Sequence, residues 1–401
     1  MSDLQTIVAL AARGDGITAD GRFMPLAAIG DTVDFAADPP AIIPGPQHAV
    51  PPCRHFPVCG GCQLQHVTDG AYAGFVASRV ARALPDGQAP VLHPAALSPP
   101  RSRRRAALKA LKRGRQLILG FHTEGTHKVV DIQQCAILDP ALFALLAPLR
   151  QLLLARLKDE QGAGVALTIS ETGIDLLLAN VSAEGLAAIE ALSEFAAAHD
   201  LARLSVEGPG GIDVIVERRP PQLTMGGVAV ALPPAPFLQA TREGEAALVA
   251  AVLAATAGAG RLADLFCGLG TFALPLSRQG PVLAVDAAGP AVMALGAASR
   301  GAGRRVTVQH RDLFRRPLAA AELAGLDAVV FDPPRAGAEA QAKALAASAV
   351  PVIVAVSCNP NTFSRDARIL VEGGYRITDA WPVAQFRWSS HVELVARFER
   401  S

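Results

Sequence analysis

From about residue 236 onward, short runs of aliphatic and β-branched residues alternate with segments of helical period, and no other feature restricts the fold as strongly. The runs "RLADLF", "PVLAVD", "RVTVQH", "LDAVVFDPP" and "VPVIVAVSC" read as strands, and "TFALPLSRQ" and "PAVMALGAASR" as helices between them. Nearly continuous apolar strands separated by helices predict a parallel sheet covered on both faces, with "HVELVARFE" as a further strand. In an open α/β sheet, ligands bind beyond the carboxyl ends of the strands. The residues that follow each run are therefore the candidate site.

Those residues are polar or conformationally special in every case. "DLFCGLGTF" follows the first strand and offers Gly268 and Gly270 for a tight turn. The second strand ends in Asp286, where a carboxylate takes the two hydroxyls of a ribose. "HRDLF" supplies Asp312 for an adenine amine, and the fourth strand ends in "DPPR" at Asp332. Together they favour a cofactor containing a nucleoside. A dinucleotide loop requires GxGxxG, whereas this loop reads Gly268, Gly270, Phe272, Ala273. S-adenosylmethionine is preferred to NAD.

The fifth strand stops at Cys358, among Ser357, Asn359 and Asn361, and the topology turns it toward the reactive end of that cofactor. Glu393 interrupts an otherwise apolar strand, two residues from His391 and on the same face. A thiol, a carboxyl group and S-adenosylmethionine fit one reaction especially well. Carbon 5 of uracil is a poor nucleophile until a thiolate adds to carbon 6. The resulting enolate attacks a methyl sulfonium, and a base then removes the carbon-5 proton so that the thiol leaves. Cys358 and Glu393 are the candidates for thiolate and base.

The first forty residues read as short strands with glycine turns, suited to a small barrel, and the proline-rich stretch 39–52 as an extended connector. Residues 91–235 mix strand-like runs ("GVALTIS", "GIDLLLANV", "GIDVIVERR") with helical ones ("PALFALLAPLRQLLLARLK"), an α+β pattern. Net charge is only +1, yet "RSRRRAALKALKRGR" (101–115) carries eight basic residues and no acidic one, a candidate phosphate-binding patch. No apolar run is long enough to span a membrane, and the N-terminal stretch is not leader-like; a cytoplasmic protein is expected. In that compartment six cysteines argue for metal or catalysis ahead of disulfides. "CRHFPVCGGC" sets Cys53, Cys59 and Cys62 as CxxxxxCxxC with Cys135 as a distant fourth, spacing that suits zinc or an iron–sulfur cluster equally.

Five motifs, "PAPFLQ" (234–239), "DLFCGLGTF" (264–272), "FDPPRAG" (331–337), "VSCNPNTFSRD" (356–366) and "HVELV" (391–395), resemble in content and order those of the RNA 5-methyluridine methyltransferases. The resemblance covers most of the chain. It implies an α/β architecture: a C-terminal class I S-adenosylmethionine-dependent methyltransferase domain, Rossmann-like, at 236–401; an α+β RNA-binding domain carrying an iron–sulfur cluster at 46–235; and a shortened TRAM-like β-barrel at 1–45. Gln239, Phe266, Thr271, Asp286, Asp312 and Asp332 match residues that line the family's cofactor site, Cys358 its nucleophile and Glu393 its base.

Cys53, Cys59, Cys62 and Cys135 match the members that look like carriers of a [4Fe-4S] cluster. Cluster-bearing bacterial relatives modify 23S rRNA, which favours rRNA over tRNA as the substrate of a monomeric enzyme. The "RSRRR" segment matches a basic stretch that approaches RNA. Two departures are Ala384, where the family often has an acid, and Thr271, where it has asparagine. The rivals are a tRNA uracil-C5 methyltransferase and an iron–sulfur RNA-binding protein without turnover. Retention of Cys358, Glu393 and Asp332 together opposes the second.

Overall fold

The computed structural model describes residues 3–400. Its largest sheet follows the expected alternation. Five parallel strands run in the spatial order Val306–His310, Val282–Asp286, Leu262–Leu265, Ala328–Phe331, Val352–Ser357. Glu393–Arg400 continues the sheet antiparallel to Val352–Ser357, and Tyr375–Ala384 pairs antiparallel beyond it. The strand order reverses between Leu262–Leu265 and Ala328–Phe331, which opens a crevice at their carboxyl ends.

Alternate residues of each central strand feed two cores on opposite faces of this sheet. Ala263, Leu265, Val329, Phe331, Ile353 and Ala355 face one core; Leu262, Ala328, Val330, Val354 and Val356 face the other. Burial on both sides explains why these strands carry almost no polar residue. Asp264 and the terminal Ser357 are the exceptions.

Two segments that the sequence assigned to the central region pack on this sheet instead. Helix Asp69–Ala81 lays Tyr72, Phe75, Val76 and Val80, spaced at helical period, into the first core. The short strands Val91–Leu92 and Ala96–Leu97 then pair in parallel with Tyr375–Ala384. The hairpin Gln222–Met225 and Val228–Ala231 gives Leu223, Met225, Val228 and Val230 to the second core. Packing thus departs from the expected boundaries at 46 and 236.

The remainder of the central region is a six-stranded sheet in the order Gly211–Glu217, Arg203–Gly208, Gly173–Ala179, Gly162–Ser170, Arg105–Arg113, Gln116–Gly120. Helices Leu146–Arg156 and Leu186–Ala198 pack on one face through Leu149, Leu153, Leu192 and Phe195. The basic run therefore forms a strand, Arg105–Arg113, whose Ala106, Leu108 and Ala110 point at those helices. Its alternate residues Arg105, Lys109 and Arg113 take the opposite face.

Near the N-terminus, where a shortened barrel is expected, five short strands between Leu4 and Ile43 form an open sheet whose two edge strands do not pair, half a barrel. Among the described residues no helix is long and apolar enough to cross a membrane.

Candidate active site

Cys358 follows the strand Val352–Ser357 at the start of helix Pro360–Glu372. Asn359 caps that helix, its side chain accepting from the Asn361 N–H at 3.1 Å and donating to the Arg335 carbonyl at 2.9 Å. Thr362 also donates to the Arg335 carbonyl, at 3.2 Å. The loop bearing Cys358 is thereby fastened to the Asp332–Arg335 loop. In the adjacent antiparallel strand, Ser357 pairs with Leu394, so Cys358 and Glu393 are the immediate neighbours of a paired couple.

The electrostatics of this pair follow from burial. Glu393 is 6% exposed, and desolvation, followed by the charge of Asp332, pushes its carboxyl up to about 8. A hydrogen bond from Gln385 and the Arg105 guanidinium oppose that rise. Burial likewise raises the Cys358 thiol, helped by Glu393 and Asp332 and opposed by Arg335. Asp332 is pushed up to about 7 by burial and by Asp286. Three acidic groups thus share one desolvated region, a setting common at functional sites.

Gln239 and Gln385 complete the polar lining. Gln239 approaches Asp332 Oδ2 through its amide nitrogen at 3.5 Å, and its Oε1 accepts from Gln385 Nε2 at 2.6 Å. The same Gln385 nitrogen donates to Glu393 Oε2. Beneath them lies Arg104, 3% exposed, which pairs with Glu245 and donates to the Gln239 carbonyl at 3.1 Å. Arg104 therefore serves the packing of this region and is withdrawn from the expected phosphate-binding set. Arg105, by contrast, stacks its guanidinium over Phe237 at 4.9 Å, on the side of Glu393. Sequence reading missed Gln385, which stands beside the noted Ala384; a polar residue that close to Glu393 was the available signal.

In the crevice, Asp286 accepts from the N–H of Gly268 and of Ala288, at 2.8 and 2.7 Å, so the glycine turn and the strand end are joined. Gly270 lies at φ +94°, and a Cβ there would stand 2.5 Å from Leu295 Cδ1; only glycine fits. Asp312 accepts from the N–H of Phe314 and Arg315 at 2.9 and 3.2 Å. Phe266, itself at φ +63°, faces Phe314 with ring centroids 5.5 Å apart. Phe314 is 49% exposed. An exposed aromatic beside the expected adenine position offers a stacking surface that the sequence did not single out. Thr271 is turned elsewhere, bordering a cavity of about 290 Å3 between the hairpin and helix Arg242–Ala255. Cys267 is buried, and desolvation raises its thiol well above the ordinary range, consistent with packing.

Cys53, Cys59, Cys62 and Cys135 all border one cavity of about 300 Å3, and none is in a disulfide. Burial pushes the Cys62 thiol up to about 12, with smaller contributions from Cys135, Cys59 and Cys53. The four sulfurs therefore lie within electrostatic reach of one another. As arranged, they do not form a single-ion site: among the described residues no group of three or more His, Cys, Asp or Glu could hold a metal ion. The expected [4Fe-4S] cluster finds no support in that comparison. The same cavity is bordered by Arg335 and His391, whose side chains meet at 2.8 Å. The backbone joins it to the active site as well. Trp388 accepts at its carbonyl from the N–H of Gln63 and Leu64, at 2.7 and 2.9 Å, and Tyr72 donates to the carbonyl of Ser389 at 3.1 Å.

This sheet order, with the last strand antiparallel and the strand order reversing at the sheet's centre, is that of a class I methyltransferase fold. Comparisons with known proteins narrow the class. The family model for tRNA (uracil-5-)-methyltransferase matches residues 307–400. An uncharacterized RNA methyltransferase of Zymomonas mobilis is 44% identical over 99% of this chain and 100% of its own length. The 23S rRNA (uracil(1939)-C(5))-methyltransferase RlmD of Bordetella bronchiseptica is 33% identical over 89% of this chain and 81% of its own. The solved tRNA (uracil-54, C5)-methyltransferase of Pyrococcus abyssi, in complex with S-adenosyl-L-homocysteine, superposes with a TM-score of 0.77 over 98% of this chain and 99% of that one; at 22% identity it bears on the fold alone. The chain belongs to the RNA (uracil-5-)-methyltransferase family.

Proposed function

We propose that the protein methylates carbon 5 of a uridine in 23S rRNA, with Cys358 as nucleophile and Glu393 as base. The observation that carries this reading is the closeness of the two, neighbours of the paired Ser357 and Leu394, in one desolvated region with Asp332. S-adenosylmethionine supplies an electrophilic methyl group on a sulfonium. The Cys358 thiolate adds to carbon 6 and the electron pair of the 5,6 double bond moves toward the carbonyl, giving an enolate. Carbon 5 takes the methyl as its bond to sulfur breaks. Glu393 then removes the carbon-5 proton, and the returning electron pair restores the double bond and expels the thiolate. A thiol held above its ordinary range is a weak attacker, so Arg335, which lowers it, assists the first step.

On this reading the crevice holds the cofactor: Asp286 at the ribose, Asp312 at the adenine amine, Phe266 at the ring, and Gln239 and Asp332 toward the reacting end. Thr271 is the weakest member of the set, because it borders a different cavity. The 33% identity to an enzyme named for uracil 1939 of 23S rRNA supports rRNA as the substrate class. Arg105, Lys109 and Arg113, on the helix-free face of their sheet, would take phosphates along the approach to Glu393. The target base must leave its stack to reach Cys358.

Cys53, Cys59, Cys62 and Cys135 would hold a [4Fe-4S] cluster in a structural role. Four unpaired thiols from two distant segments bordering a common cavity support this, since a four-iron cluster is larger than one ion and takes four thiolates. The test of the function as a whole is incubation of purified protein with methyl-labelled cofactor and either 23S rRNA or tRNA, followed by mapping of 5-methyluridine by mass spectrometry. Label at one site in rRNA supports the proposal. Label in tRNA alone overturns the substrate, and label in neither overturns the activity.

A further inference from the structure

Between Gln239 and Glu393 lies the side chain of Gln385, 2% exposed. Its Oε1 accepts from the backbone N–H of Ala240. Its nitrogen donates to Gln239 Oε1 at 2.6 Å and to Glu393 Oε2. A backbone N–H can only donate, so the amide cannot be turned over without setting N–H against N–H and oxygen against two acceptors. Both amide hydrogens are thereby committed, one to each neighbour.

Each commitment limits what the neighbour does. With its Oε1 occupied, Gln239 presents only its NH2 group to Asp332 Oδ2, 3.5 Å away. With Oε2 held, Glu393 keeps Oε1 outside the contact. We propose that Gln385 is a positioning residue for methyl transfer, holding Glu393 with one oxygen available for the carbon-5 proton and Gln239 with its NH2 turned toward Asp332. This rests on the assignment of Glu393 as the base.

Around Glu393 stand three charged or titratable groups and one amide, from four elements. Asp332 follows the strand Ala328–Phe331, Cys358 follows Val352–Ser357, Arg105 opens the strand Arg105–Arg113, and the fourth contact is Gln385 at the end of Tyr375–Ala384. Burial and Asp332 favour the neutral acid; Gln385 and Arg105 favour the carboxylate. Loss of the Gln385 donor leaves Arg105 alone in that role.

The test is Gln385→Met, similar in length but without a donor, with Gln385→Asn, which retains the amide on a shorter stem, as a second variant should the first not fold. In single turnovers with rRNA and S-adenosylmethionine, two things are followed against pH: formation of 5-methyluridine, and the fraction of RNA that migrates with protein on a denaturing gel. Release of the methylated adduct in the variant should titrate about one pH unit above wild type, with about tenfold less carboxylate at neutral pH. The adduct should accumulate accordingly. A role in packing alone would slow release by one factor at every pH. Superimposable profiles, or a uniform drop without accumulation, overturn the proposal while wild type still forms and releases its adduct. If wild-type protein forms no adduct at all, Glu393 is not acting on one, and the reading on which Gln385 depends fails with it.

Discussion

Cys358 directly follows Ser357, and Glu393 directly precedes Leu394, the residue with which Ser357 pairs at the end of two antiparallel strands. They are 35 positions apart in sequence by their numbering, yet the pairing of their neighbours brings them near enough for the charge of Glu393 to act on the Cys358 thiol. A thiol and a carboxyl group so arranged have no structural use for each other: Glu393 raises the proton affinity of Cys358, and both are desolvated. That unfavourable juxtaposition suits the proposed covalent mechanism, which needs a nucleophile and a base at adjacent carbons of one ring.

The first prediction is a dependence on pH. Burial raises Glu393 from its ordinary 4.5 to about 8 in the folded protein. The carboxylate is the active form, so release of the methylated product should increase as pH rises through about 8. Stability should move the other way. A raised acid contributes stability that is fully present below its unfolded value and is lost as pH rises through the folded one, here between 4.5 and about 8. Glu393→Gln should therefore match or exceed wild-type thermal stability above pH 8, read as Tm by calorimetry. A variant markedly less stable there would contradict the burial argument.

The cysteines predict a metal analysis. Protein purified without oxygen should contain about four irons per chain and a matching amount of acid-labile sulfide. Cys62→Ser should lose most of the iron and lower Tm, because the bound group closes the long loop between Cys62 and Cys135. Activity should fall as well, since Gln63 and Leu64 bind the Trp388 carbonyl in the segment that leads to Glu393. Stoichiometric zinc with no iron would overturn the cluster.

The basic run divides into two functions. Lys109→Ala with Arg113→Ala should weaken RNA binding and flatten its salt dependence, with Tm unchanged, as expected for exposed phosphate contacts. Arg104→Ala should instead destabilise the fold by about 3–5 kcal/mol, because it strands the partly buried Glu245 partner and the Gln239 carbonyl. Fluorescence anisotropy against salt and thermal melts separate the two effects.

The parts of this fold that the sequence disclosed are those where each residue's surroundings repeat at a fixed period. Val352–Ser357 is buried on both faces and reads as a strand from composition, and its successor Cys358 reads as a site from topology. Tyr375–Ala384 was missed because Pro382 and the polar Arg376, Thr378 and Asp379 disguise it; its order comes from pairing with Glu393–Arg400, a tertiary effect. The basic run reads as a phosphate-binding patch by charge, yet Ala106, Leu108 and Ala110 between its arginines and lysines mark a strand with one side in the core. Arg104 could not be told from Arg105 by charge, since only packing against Glu245 separates them. Helix Asp69–Ala81 shows its apolar stripe in sequence, but nothing local says which sheet receives it.

The central claim is that uridine is methylated through a covalent bond to Cys358 that Glu393 resolves, and the most direct measurement is the trapping of that bond. Cys358→Ala should bind cofactor and RNA and yield no 5-methyluridine. Glu393→Gln should transfer the methyl group once and then remain joined to its RNA, visible as a protein–RNA band on a denaturing gel and as a Cys358 adduct by mass spectrometry of the digested complex. Wild-type protein with 5-fluorouridine RNA should give the same band, because fluorine at carbon 5 does not leave as a proton does. Methylation by Cys358→Ala, or the absence of a covalent band from both Glu393→Gln and the fluorinated substrate, would contradict the account.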